Sequence, residues 1–114
     1  MKRFNTLGLD ERCNITGQQD GLPFKIARTS TTRDLAGEKL HYHALGYEFY
    51  LVISGKIFLR VNNNPVEVCE GQLVVVEPNE PHKVVEIVGS ADYLVINTNS
   101  DPLDKLVLEN FEKL

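Results

Sequence analysis

The chain carries three histidines, His41, His43 and His82, and none lies outside one pattern. His41 and His43 are two apart, so in an extended strand both side chains leave by the same face. Glu48 follows at the entrance of an aromatic and β-branched run, and His82 opens another run directly after a proline corner at 77–81. A divalent first-row metal wants several neutral imidazoles, often with a carboxylate, at about 2.0–2.2 Å. Each residue also has a plainer role: a surface His-x-His pair, a solvated glutamate at a strand end, a hydrogen-bonded turn histidine. Their joint occurrence points to a metal. With every histidine in that pattern none is left for a triad. The sequence also shows no nucleophile elbow and no phosphate-cradling glycine loop. Cys69 reads as a small apolar strand residue, and Cys13 lies in the N-terminal stretch.

Such residues need rigid elements to hold them. Period-two alternation and turn signals dominate residues 24–98. Strands are predicted at 24–32, 48–53, 56–61, 66–69, 73–77, 82–88 and 93–97. The breaks fall at Ser54-Gly55, Asn62-Asn63-Asn64-Pro65, Glu70-Gly71, the 78–81 corner and Gly89-Ser90. Strands this short with turns this frequent give an all-β antiparallel sandwich or barrel. Residues 1–20 lack clear periodicity and read as an N-terminal arm, leaving 21–114 as one domain. At the C-terminus the period changes. Asp101 suits a cap and Pro102 a first helical position, and Asp104 complements the helix dipole. Leu103, Leu106, Val107, Phe111 and Leu114 recur at helical steps, predicting an amphipathic helix over 102–114 packed as a lid on the barrel.

The run His41-x-His43-x4-Glu48-x6-Gly55 resembles the first motif of the cupin superfamily. The run from Gly71 through Pro78 and Pro81 to His82 resembles its second, and together they span residues 41–86. The resemblance implies a small double-stranded β-helix, or jelly-roll, barrel holding one metal, with His41, His43, Glu48 and His82 as ligands. It departs from the family pattern in four places. Leu35 stands where an opening glycine is usual and Gly37 lies nearby; Glu77 replaces a proline and Asn79 a glycine; Glu86 stands where an asparagine often ends the second motif. Asparagine tolerates left-handed backbone best among non-glycine residues, so the corner is expected to survive.

Parity extends the inward face. With Glu48 go Tyr50 and Val52; with His82 go Val84 and Glu86. Tyr50 could donate to a substrate or fill the core with its hydroxyl on a carbonyl. Glu86 could support a ligand or act as a base, or be a solvated carboxylate. Arg28 shares the face of Phe24 and Ile26, where it could anchor an anionic ligand or lie in water beyond the mouth.

Length and composition bound the rest. The 114 residues fit one domain, and 42% hydrophobic with 25% charged residues is a globular balance. A net charge of −4 without a Lys/Arg cluster leaves no footprint for nucleic acid or an anionic membrane. No apolar run approaches the roughly 20 residues of a membrane span. The opening residues lack a signal-peptide stretch, and two cysteines are too few for a disulfide framework, so the expected location is the cytoplasm. Three imidazoles and one carboxylate would leave two of six octahedral positions open, as in a catalytic site. The expected function is therefore a metal-dependent small-molecule enzyme using Fe, Mn, Co, Ni or Zn. Within cupins the resemblance implies a dioxygenase or a sugar or sugar-phosphate isomerase, the small proteins related to mannose-6-phosphate isomerase being most similar in size. The alternative is a non-catalytic binding module for a small ligand. Edge strands and the arm point to a homodimer.

Overall fold

The computed structural model of the protein describes residues 1–6, 12–31 and 38–108. Eight strands follow one another: β1 (Arg12–Thr16), β2 (Lys25–Thr31), β3 (His41–His43), β4 (Glu48–Val61), β5 (Asn64–Cys69), β6 (Leu73–Val76), β7 (His82–Asn97) and β8 (Lys105–Val107). All observed pairings are antiparallel.

Two long strands organise the barrel. β4 and β7 pair from Glu48↔Asn97 to Val61↔His82, and each unites two segments that the turn signals at Ser54-Gly55 and Gly89-Ser90 had separated. These glycines bend the strands instead of ending them. Gly55 and Gly89 take φ of +82° and +67°, and the β4–β7 register shifts around Ser54. The first half of β4 pairs with β6 and with the second half of β7, which continues to β2 and β1. The second half of β4 pairs with β5 and with the first half of β7, which continues to β3 and β8. One sheet thus curls into two faces around Tyr50, Val52, Ile57, Leu59, Val68, Val76, Val84, Ile87, Tyr93 and Val95. Val52, Ile57, Leu59 and Val68 are fully buried, each contributing about 1.5–3 kcal/mol of transfer free energy.

Two further expectations change. Residues 102–108 form no helix: Asp101 accepts from the Leu103 N–H and caps only the 3-10 turn Pro102–Asp104, after which β8 pairs with β3. Strand addition to an otherwise open β3 edge overrides the helical spacing, and Leu103, Leu106 and Val107 stay exposed. Phe111 and Leu114 lie outside the described residues. Within the arm, β1 adds to the β2 edge of its own chain and a 3-10 turn, Gln18–Asp20, follows. The Leu35 and Gly37 turn lies outside the described residues. The asparagine turns are as expected, with Asn62, Asn63 and Asn79 at φ of 50°, 67° and 67°.

A Cβ on Gly55 would lie 2.1 Å from the Ser90 carbonyl oxygen, whereas one on Gly71 (φ +80°) would meet nothing within 4 Å. Both Gly→Ala changes incur a left-handed backbone cost of about 1–2 kcal/mol. Gly55→Ala is expected to lose a further ~2 kcal/mol or more in urea denaturation, because two bent strands cross there. Equal losses in the two variants would show that the crossing tolerates a methyl group.

Candidate metal centre

Three strands deliver the four side chains to one end of the barrel. β3 supplies His41 and His43 from one face, β4 opens with Glu48 and β7 opens with His82. His41 and His82 are direct cross-strand partners, with ring centroids 4.4 Å apart. The Asn79 N–H of the proline corner donates to the His43 carbonyl at 2.8 Å, tying the second motif to the first. His41, Glu48 and His82 are buried and His43 is half-buried. One candidate ligand atom from each lies within 4.8 Å of the others.

The hydrogen bonds define which imidazole nitrogens face inward. His41 Nδ1 lies 2.8 Å from the Lys39 carbonyl and His82 Nδ1 lies 2.8 Å from the Glu80 carbonyl. A carbonyl only accepts, so both Nδ1 atoms carry hydrogen, and in the neutral rings Nε2 presents its lone pair to the centre. Glu48 Oε2 stands 2.6 Å from His82 Nε2, 2.7 Å from His43 Nε2 and 3.9 Å from His41 Nε2. A neutral His82 would set a lone pair against a carboxylate oxygen. The geometry therefore calls for a positive charge, either a proton on the ring or a metal ion between the donors. Donors bonded at about 2.1 Å and at right angles would lie roughly 3 Å apart, between the short Glu48 spacings to His82 and His43 and the longer one to His41. The cluster could hold one ion once Glu48 moves back from His82 and His43, and His41 closes in.

Electrostatics agree. Burial alone would raise the Glu48 carboxyl, but His41, His43 and His82 around it hold it well below the usual carboxylate range. Burial alone would lower the His82 imidazole, but its hydrogen bond to Glu48 and the charge there raise it. Burial, followed by the Glu48 charge, pushes the Tyr50 phenol well above its usual range.

His41, His43 and Glu48 line a cavity of about 150 Å³, and His82 beside them is fully buried. Its lining joins apolar Ala27, Val84 and Val95 to Thr29, Tyr50, Tyr93 and Asn97, and includes charged groups of both signs, Lys25, Glu38, Asp101 and Lys105. Asn97 is the cross-strand partner of Glu48, and its Oδ1 is buried without a hydrogen-bond partner among the described residues.

Of the residues expected near the site, Tyr50 lines this cavity, but Arg28 and Glu86 do not. Arg28 lies on the other face of β2: Nε and Nη2 donate to Asp92 at 2.9 and 2.6 Å, and Nη1 donates to the Thr6 carbonyl. Lys25, Ala27 and Thr29 hold the inward positions. Glu86 is exposed because Phe58 pairs with Glu86 while Leu59 pairs with Val84, leaving Val85 as an extra residue. That bulge switches the inward parity of β7 from His82 and Val84 to Ile87, Ala91, Tyr93 and Val95. Tyr93 and Asn97 were missed for the same reason, although their mutual period-two spacing was visible.

A family model described as Cupin domain matches residues 35–97. No curated protein matches the chain significantly. Among solved structures, a protein from Planctomyces limnophilus is 17% identical with a TM-score of 0.70, covering 93% of this chain and 96% of that one. A Streptomyces nucleoside dehydratase is 15% identical with a TM-score of 0.70, covering 95% and 91%. A sugar phosphate isomerase from Silicibacter pomeroyi is 19% identical with a TM-score of 0.64, covering 82% of this chain and 62% of that one. At such identities the likeness is one of fold. The family match spans more than half of the sequence and contains all four clustered residues, and on that ground the chain belongs to the cupin superfamily.

Proposed function

We propose that this protein is a metal-dependent enzyme acting on a small hydroxylated molecule, with an isomerase- or dehydratase-type proton transfer as its chemistry. The carrying observation is the convergence of three imidazole nitrogens and Glu48 beside a cavity whose lining includes hydroxyl, amide and charged groups. His41, His43, Glu48 and His82 would hold one divalent ion, Fe, Mn, Co, Ni or Zn. When bound, such an ion supplies Lewis acidity and an open coordination position for a substrate oxygen. The protein's own groups do the rest. Tyr50, kept neutral by burial and the neighbouring carboxylate, donates a hydrogen bond to a substrate oxygen. Thr29 and Asn97 position hydroxyls, and the apolar wall excludes water. Solved relatives of this fold include an enzyme for nucleosides and one for sugar phosphates, which supports the substrate class. A tie to mannose-6-phosphate isomerase is the finer form of the same reading. Oxygen uptake with Fe(II) and a substrate would instead assign the dioxygenase type, and metal-independent ligand binding without turnover the binding module.

We also propose a homodimer, formed through the outer face of β4, β6 and β7. There Phe49 lies across from Ile96 and Val75, and Leu51 across from Leu94 and Leu73. Leu73 is 56% and Val75 45% exposed, a concentration of apolar surface that a second copy would cover. Among the described residues no helix is long and apolar enough to cross a membrane. A cytoplasmic setting is part of the proposal.

Elemental analysis of gently purified protein is expected to show about one transition-metal ion per chain, and His43→Ala is expected to lose most of it. Equal traces in both would contradict the metal reading. The pH dependence has a definite sign. Without metal, the depressed Glu48 carboxyl stabilises the fold above its ordinary value near 4.5 and loses that contribution as pH falls. The raised His82 imidazole stabilises below its ordinary value near 6.5 and loses that contribution as pH rises through its folded value. Metal needs the neutral ring, so the gain in Tm on adding metal over chelator should grow from pH 5.5 to 8, readable by calorimetry. A gain that shrinks over that range would count against imidazole ligation. Light scattering at micromolar concentration should give a dimer mass for the parent and a monomer mass for Leu73→Glu; a monomeric parent would dismiss the dimer.

A further inference from the structure

Two of the four clustered side chains hang on the ends of one short loop, residues 44–47, between His43 and Glu48. All four of its backbone N–H groups are held by the C-terminal segment. Ala44 donates to the Asp104 carbonyl at 3.3 Å, and Tyr47 donates to Thr98 Oγ1 at 2.9 Å. Between them, Leu45 donates to Asp104 Oδ1 and Gly46 to Asp104 Oδ2, each at 2.9 Å. The Asp104 carboxylate is only 7% exposed, so these charge-assisted bonds are shielded from competing water. The approach is tight: a Cβ on Gly46 would lie 3.0 Å from Asp104 Oδ2 and 3.3 Å from the Asn99 amide nitrogen. Asp104 is absent from the cavity wall, whereas its neighbour Lys105 lines it.

We propose that Asp104 is a positioning residue for the metal centre: its two carboxylate oxygens clamp the Leu45 and Gly46 amides and so set the separation of His43 and Glu48. This rests on the metal reading given above. A short β3 paired with a three-residue β8 is a weak platform for a site that depends on placement to a few tenths of an ångström. Pinning consecutive amides from one carboxylate fixes the loop's path without adding a group to the cavity. The two oxygens act together. An asparagine could accept from one amide only and would turn its own N–H₂ against the other.

The test uses Co(II), whose visible absorption reports ligand geometry, with wild type, Asp104→Asn and, as a control on the neighbouring strand, Leu106→Ala. Thermal melts in chelator report folding without metal. Wild type should bind one Co(II). Asp104→Asn should melt cooperatively, bind Co(II) 10- to 100-fold more weakly and show a displaced absorption band, as loss of a group supporting metal ligands does. Leu106→Ala should keep the wild-type band and affinity whatever its melting temperature. Cobalt binding by wild type with the same band and affinity in Asp104→Asn overturns the clamp alone. No cobalt binding by wild type overturns the metal reading and the clamp with it. Should Asp104→Asn fail to melt cooperatively, Gly46→Ala, which pushes the same loop away from the same carboxylate, carries the comparison with the same supporting and overturning results.

Discussion

Glu48 is a carboxylate almost withdrawn from water, and the surrounding architecture follows from what that requires. A buried negative charge is costly unless compensated by opposite charge and hydrogen bonds. Three imidazoles supply that compensation from two other strands. Their orientation is set one step further out, where the carbonyls of Lys39 and Glu80 take the Nδ1 hydrogens of His41 and His82. The Nε2 atoms are left aimed at the carboxylate. A proton can occupy the space among them, and so can a metal ion; the same donors serve both, and they compete.

This convergence is possible because β4 and β7 are long, bent and paired along their whole length. Each contributes one clustered residue at its first position and then curves away to build both faces of the barrel. Gly55 permits the bend by letting Ser90 approach where a side chain would collide. The bulge at Val85 has a separate effect: it returns Ile87 to the core and turns Glu86 out to solvent. The polarity of the cavity thus depends on a one-residue insertion in a strand pairing.

The outer face follows a different logic. Arg28 neutralises Asp92 beside the N-terminal residues, and aliphatic side chains of β4, β6 and β7 crowd the adjoining surface. The Arg28–Asp92 pair and an exposed apolar strip therefore share the outside, while the inner face holds the apolar core at one end and hydroxyls and amides near the buried cluster.

The residue types and spacing of His41, His43, Glu48 and His82, and the turns that place them, were legible because period-two alternation assigns faces locally and glycine, proline and asparagine mark backbone that other residues avoid. The asparagine turns needed no knowledge of distant contacts. The location of Glu86 and Arg28 was not legible. Parity carries along a strand only until a bulge, and a bulge depends on the partner strand; similarly, which face of β2 looks inward depends on how the sheet curls. The C-terminal segment shows the same division. Its apolar spacing favours a helix in isolation, but the open edge of β3 offers hydrogen bonds and the 44–47 loop offers two amides to Asp104, so residues 105–107 extend. Local sequence determined which groups could bind a cation and where the backbone bends or turns; tertiary structure decided which bends end a strand and which groups share a cavity, because strand register and edge pairing are settled between segments far apart in the chain.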